Sequence, residues 1–263
     1  VKATYRSALV TGASGGIGEI FARQLAAVGC DLVLVARRAE PMEKLAAGLA
    51  ERHGVHVEVI AADLTVDGDL ERVARRLADP ERPIELLVNN AGAGSRPPRP
   101  FHQQDPAGEE VKVALNVIAP LRLTRAALPG MVARDHGGVL TVSSIAAYWP
   151  QPHGATYAAT KAFLSSFGDT LACELAGTNV HVTTVVPGFT KRGNGVAKGG
   201  PKSFTLPEFA WLEREDVAAQ GLAAVHAGVP ICIPGATYQA ALGLTRLLPR
   251  SVLRDLFRRV WGS

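Results

Sequence analysis

The chain has 263 residues, 47% of them hydrophobic, which is ample material for one large core. Its 28 basic residues stand against 24 acidic ones, but Arg246, Arg250, Arg254, Arg258 and Arg259 crowd the last stretch beside Asp255, so residues 1–236 are formally neutral. That distribution excludes a nucleic-acid-binding surface spread over the molecule, and no apolar run reaches the roughly 18–20 residues of a membrane-spanning helix.

In chain order, apolar runs of strand length alternate with helical patterns. Strands are predicted at 7–12 (SALVTG), 31–36 (DLVLVA), 56–62, 84–90 (IELLVNN), 137–144, 180–188 and 229–235. Helices are predicted at 16–29, 39–53, 67–78, 106–134, 155–176 and 213–227. The strand runs are continuous in Val, Leu and Ile rather than alternating, as in a parallel sheet covered on both faces. An α/β architecture follows: a Rossmann-type doubly wound parallel sheet of about seven strands flanked by helices. No linker divides the chain, so 1–263 is read as one domain with 237–263 as its basic amphipathic extension. Two loops, 92–106 and 188–204, lie beyond carboxyl ends of strands, where open α/β sheets bind ligands.

Cys30, Cys173 and Cys232 are scattered, odd in number and set among apolar residues, so they are read as buried free thiols. The seven histidines show no paired ligand spacing, and no metal site is expected. VKATYRSALV lacks a signal-peptide core and cleavage site. A soluble cytoplasmic protein is the expectation.

After the first strand comes TGASGGIGEIFARQLA, a glycine-rich turn that opens a helix. Free backbone N–H groups and the positive end of the helix dipole then face one point, which suits a pyrophosphate. Gly12 allows the tight turn, Gly16 the approach of phosphates and Gly18 the packing of helix on sheet. The spacing is GxxxGxG, and with it the chain resembles the short-chain dehydrogenase/reductase family. NNAG at 89–92, Asn116 in ALNVIAP, Ser143-Ser144, YAATK at 157–161 and Pro187-Gly188 match that family's motifs in order, over residues 7 to about 235.

The second strand ends LVLVARRAE, with no carboxylate before Glu40 to hold a ribose 2′-hydroxyl. Arg37, with Ser14 as second donor, suits a 2′-phosphate, so NADP(H) is preferred over NAD(H). The resemblance implies that Ile17 joins the phosphate turn and that Asp63 and Leu64 meet the adenine. It places Asn90 and Gly92 on the adenosine side, Asn90 being equally open to a bracing role. Pro187, Gly188 and Thr190 fall to the nicotinamide end. Arg192 stands where relatives often carry threonine, and pyrophosphate, an acidic substrate and solvent all remain open for it.

Tyr157 and Lys161 share one helix face. An ammonium near a phenol favours the phenolate, and a tyrosine so tuned can protonate a carbonyl oxygen or deprotonate an alcohol. The pair alone is weak evidence. The resemblance adds Ser144 as a donor to the developing oxyanion and Lys161 as a ligand of the nicotinamide ribose. It adds Asn116 too, whose carbonyl Pro120 cannot cap, as the holder of a proton-relay water. Together these imply an NADP(H)-dependent oxidoreductase acting on an apolar ketone, aldehyde or 3-oxoacyl group, as a homodimer or homotetramer. Tyr148, Trp149, Phe189, Phe204 and Trp211 are the apolar pocket candidates. An NADPH-binding sensor or scaffold is the competing reading, as is a peripheral membrane protein. The tail's helical stripe (Leu253, Leu256, Phe257, Val260, Trp261) suits packing on the body or a partner, a lid, or, less favoured, a membrane surface.

Overall fold

The computed structural model describes residues 4–94, 99–191 and 207–261, with the side chains of 260 and 261 left aside. Expectations for Arg192, Phe204 and the loop 193–204 lie outside the described residues. The elements are β1 (Ser7–Thr11), α1 (Gly16–Ala27), β2 (Asp31–Ala36), α2 (Ala39–His53), β3 (Val57–Ala61), α3 (Asp67–Ala78) and β4 (Leu86–Asn89). After these come α4 (Pro106–Val113), α5 (Ala119–Ala133), β5 (Gly137–Val142), α6 (Ala155–Glu174), β6 (Val180–Val185), α7 (Arg214–His226), β7 (Ile231–Cys232), α8 (Ala236–Arg246) and α9 (Arg250–Trp261).

The seven strands form one sheet in the order β3-β2-β1-β4-β5-β6-β7, with every pairing parallel. All carboxyl ends therefore lie on one edge, and the connections change direction between β1 and β4. That is where a doubly wound sheet opens its crevice. Alternate residues feed opposite faces. Val10 and Leu34 pack with Phe21 of α1 and Val217 of α7, whereas Leu9, Val33 and Val35 pack with Val73 of α3 and Leu123 of α5. Each fully buried Leu or Phe contributes about 1.5–3 kcal/mol relative to exposure. The two covered faces explain the unbroken apolar strands.

Three elements differ from expectation for identifiable reasons. The predicted helix 106–134 contains a π-helical turn, Ala114–Ile118. Pro120 has no N–H to give to the Asn116 carbonyl, and the turn widens so that the Ala119 N–H reaches Ala114 O. The last strand shrinks from 229–235 to two residues, because Pro230 and Pro234 flank it and cannot donate to the ladder. Helix α8 has no counterpart among the predicted elements; it buries only Tyr238 and Leu242, too few apolar anchors to mark a helical face in the sequence. The thiols also divide. Cys30 is buried, with its pKa pushed up to about 12 mainly by burial, and half-buried Cys232 is pushed up to about 11. Cys173 is exposed on α6, contrary to expectation.

Among the described residues no helix is long and apolar enough to cross a membrane.

Candidate active site

The phosphate turn is shaped by close packing on one side and space on the other. Gly12 has φ +68°, and a methyl group there would meet Asn90 Nδ2 at 2.8 Å. At Gly18 it would lie 2.4 Å from both Asn90 Nδ2 and Gly12 O. Gly15 and Gly16 have nothing within 4 Å on that side, and the amino end of α1 carries no side-chain cap. The first N–H groups of α1 are thus left to an external acceptor. Ser14 and Ile17 flank them half-buried, Ile17 resting on the core.

Asn90 braces this turn. Its Nδ2 donates to Thr11 O (2.9 Å), and its backbone N–H donates to Thr11 Oγ1 (3.0 Å). The amide NH2 is thus committed within the fold, which favours the bracing alternative. Arg37 stands exposed at the end of β2. Near it, Asp63 accepts from the Thr65 N–H (3.0 Å) and hydroxyl (2.7 Å), which hold its pKa below the usual carboxylate range with help from the Arg37 charge. Leu64 beside it is buried.

At the opposite end of the crevice, four predicted residues converge. Ser143 follows β5 and ties α6 to the sheet, donating to Lys161 O (2.8 Å) and sharing a hydrogen bond with Ser165 (2.9 Å). Gly168 lets α6 come close: a methyl group there would sit 2.1 Å from Thr184 Oγ1 of β6. This docking places Tyr157 beside Ser144, whose side chain hydrogen-bonds the phenol. Burial raises the Tyr157 pKa, and the Ser144 hydrogen bond opposes that. Lys161 is 5% exposed; its Nζ donates to Val142 O (2.8 Å) and lies 5.7 Å from the Tyr157 ring centre. Burial lowers its pKa to about 8.

Asn116, fully buried on the π-turn, exchanges hydrogen bonds with Ala93: Nδ2 donates to Ala93 O (2.9 Å) and Oδ1 accepts from Ala93 N–H (2.8 Å). Nδ2 also donates to Thr160 Oγ1 (3.0 Å), which donates to Tyr157 O (2.8 Å). Gly92 lies against this junction, a methyl group there reaching Asn116 Oδ1 at 3.3 Å and Lys161 Nζ at 3.6 Å. Sequence reasoning misses Thr160, although its place inside YAATK, three residues after Tyr157, is an available signal.

It misses Tyr238 of α8 as well. The Tyr238 ring covers Gly188, where a methyl group would come within 2.0 Å, and its hydroxyl accepts from Phe189 N–H (3.0 Å) and donates to Ala210 O (2.7 Å). Pro187 is buried and accepts from the Ile145 N–H (2.9 Å), while Thr190 forms a bridge with Leu212. Phe189 and Trp211 stand 5.9 Å apart, and Trp149 meets Tyr238 (6.4 Å) and Phe257 of α9 (5.5 Å). Ile145 joins this cluster, so an apolar wall borders Ser144. Tyr238→Phe should strand two polar backbone groups and cost about 1–3 kcal/mol, read as a lower melting temperature; an unchanged melt would show that solvent replaces the hydroxyl.

The all-parallel sheet, with a glycine-rich turn opening a helix at its carboxyl edge, is a Rossmann-type arrangement of the dinucleotide-binding class. A family model described as short chain dehydrogenase matches residues 6–198, and the chain belongs to that family. It is 36% identical over 180 residues to a very-long-chain 3-oxoacyl-CoA reductase of Pyrenophora tritici-repentis, covering 68% of this chain and 53% of that protein. The chain thus spans about half the length of that reductase. It is 35% identical over 219 residues to sulfoacetaldehyde reductase 2 of Chromohalobacter salexigens, covering 80% and 84% of the two chains. Among solved structures, a short-chain dehydrogenase from Sphingobium yanoikuyae in complex with NADPH superposes with a TM-score of 0.78 at 33% identity, covering 93% of this chain and 97% of that one.

Proposed function

We propose that the chain is an NADP(H)-dependent carbonyl reductase/alcohol dehydrogenase, working as a single cytoplasmic nucleotide-binding domain with 237–263 as its extension. The observation that carries it is the meeting of the Tyr157 phenol, the Ser144 side chain and the buried Lys161 amine on the sheet edge that also bears the open glycine turn. Bound NADPH would supply the hydride. Gly12, Ser14, Gly16, Ile17 and Gly18 would hold its pyrophosphate, and Asp63, Leu64, Asn90 and Gly92 would shape the adenosine side. Pro187, Gly188 and Thr190 would line the nicotinamide end.

In reduction, Ser144 donates a hydrogen bond to the substrate oxygen and Tyr157 delivers the proton as charge develops there. With its pKa raised by burial, the phenol is held protonated at neutral pH, the form that an acid needs. Lys161 steadies the phenolate left behind, and Asn116 orders the path that returns a proton. The NADPH of the Sphingobium neighbour and the 3-oxoacyl-CoA and sulfoacetaldehyde reductases among the relatives support this reading. The apolar wall of Trp149, Phe189, Trp211 and Tyr238 favours an apolar ketone, aldehyde or 3-oxoacyl substrate. Exposed Val111, Ile118 and Leu121 along α4–α5 favour a homodimer or homotetramer through that face.

Consumption of NADPH across a panel of apolar ketones, aldehydes and 3-oxoacyl thioesters tests the reading, and no turnover of any member with NADPH bound would sink it. Cofactor choice has its own test. Arg37→Glu should raise the KM for NADPH on the order of 10–100-fold, the size expected when a charge-assisted hydrogen bond gives way to repulsion, with the KM for NADH little changed. Equal effects on the two cofactors would remove Arg37 from the 2′-phosphate.

A further inference from the structure

The α8–α9 segment carries a surface that hydride transfer leaves unused. α9 is held on the protein by Leu253, 8% exposed, and by Phe257 against Trp149 at 5.5 Å. Beside this strip, aliphatic side chains stand in solvent: Leu244 is 67% exposed, Leu247 82%, Leu248 41%, Val252 47% and Leu256 45%. Leu248, Val252 and Leu256 recur every four residues, so the apolar stripe runs from the corner along one side of α9. Arg246, Arg250, Arg254, Arg258 and Arg259 are all exposed on the same segment, Arg259 beside the stripe and Arg250, Arg254 and Arg258 on other faces of α9, with Arg246 lying over the Tyr148 ring at 5.5 Å. The lone acid beyond residue 236, Asp255, pairs with Arg258 at 3.3 Å.

We propose that the α8–α9 corner docks on an anionic lipid surface. The leucines and Val252 enter the boundary between headgroups and acyl chains, and the arginines meet the lipid phosphates. Charge decides between occupants. A second copy of this chain would bring the same arginines face to face across a two-fold axis, whereas a bilayer rich in anionic lipid complements them. Docking would set the Trp149 wall, and the reacting end behind it, close to the lipid.

Cosedimentation of the 263-residue chain with vesicles tests this, comparing phosphatidylcholine alone with phosphatidylcholine mixed with phosphatidylglycerol. Binding is expected to the mixed vesicles, weaker at high salt. Arg250→Glu/Arg254→Glu and, separately, Leu247→Ser/Leu256→Ser should each weaken it at least about tenfold. These residues are exposed, so melting temperature and turnover with NADPH should stay at the parent values and report intact folding. Absent binding, or equal binding to both vesicle types, overturns the proposal. So does a leucine double variant that changes the oligomeric state in sedimentation velocity but leaves vesicle binding intact, which assigns the face to a second copy.

Discussion

Tyr157→Phe is expected to lower turnover of a true carbonyl substrate by about 10²–10⁴-fold, the range for removing a positioned general acid, while NADPH binding by fluorescence titration stays at the parent value. The split follows from geometry. The phenol sits with Ser144 at the reacting end, away from the glycine turn after β1, and the phenyl ring can keep its place beside Lys161. Losing the hydroxyl removes the proton donor and leaves the apolar wall in place. Ser144→Ala should show a smaller loss in the same direction, because one hydrogen bond to the substrate oxygen goes while the acid stays. A Tyr157→Phe enzyme with parent-level turnover would assign the proton to another group. Parallel collapse of NADPH affinity would mean that the variant disturbs the crevice rather than the chemistry.

The grouping proposed as catalytic, Ser144, Tyr157, Lys161 and Asn116, is legible in the sequence because each member sits in a short local motif that the fold brings to one edge of the sheet. The strands are legible for a simpler reason. Helices cover both faces of the sheet, so the central strands carry few polar side chains for solvent, and the neighbours Leu9 and Val10 enter opposite cores. Other parts depend on long-range partners that no local pattern carries. NNAG leaves Asn90 open to an adenosine-side or a bracing role, and only the fold shows its Nδ2 and backbone N–H donating to Thr11, a partner 79 residues away. Tyr238 lies in a helix with no motif, and only the fold shows its ring closing over Gly188. The two-residue β7 is blurred because an apolar run does not reveal how many of its N–H groups find a ladder partner.

Two glycines of one turn should respond differently to the same substitution. Gly18→Ala forces a methyl group to 2.4 Å from Asn90 Nδ2 and from the backbone oxygen of Gly12. Backbone cannot step aside as a side-chain end can, so the cost is that of overpacking, about 1–3 kcal/mol, and the turn itself shifts. A lower melting temperature and weaker NADPH binding should appear together, and adding Asn90→Ala should not restore either, because the Gly12 oxygen remains. Gly16→Ala meets nothing within 4 Å, but its φ of +65° costs an alanine about 1–2 kcal/mol. Its methyl group points into the space that the proposed pyrophosphate needs, so NADPH affinity should fall more steeply than stability does. Thermal melts with and without NADPH separate the two: the cofactor should still raise the melting temperature of Tyr157→Phe, and should raise that of Gly16→Ala far less. Full NADPH stabilisation of Gly16→Ala would place the phosphates elsewhere on the sheet edge.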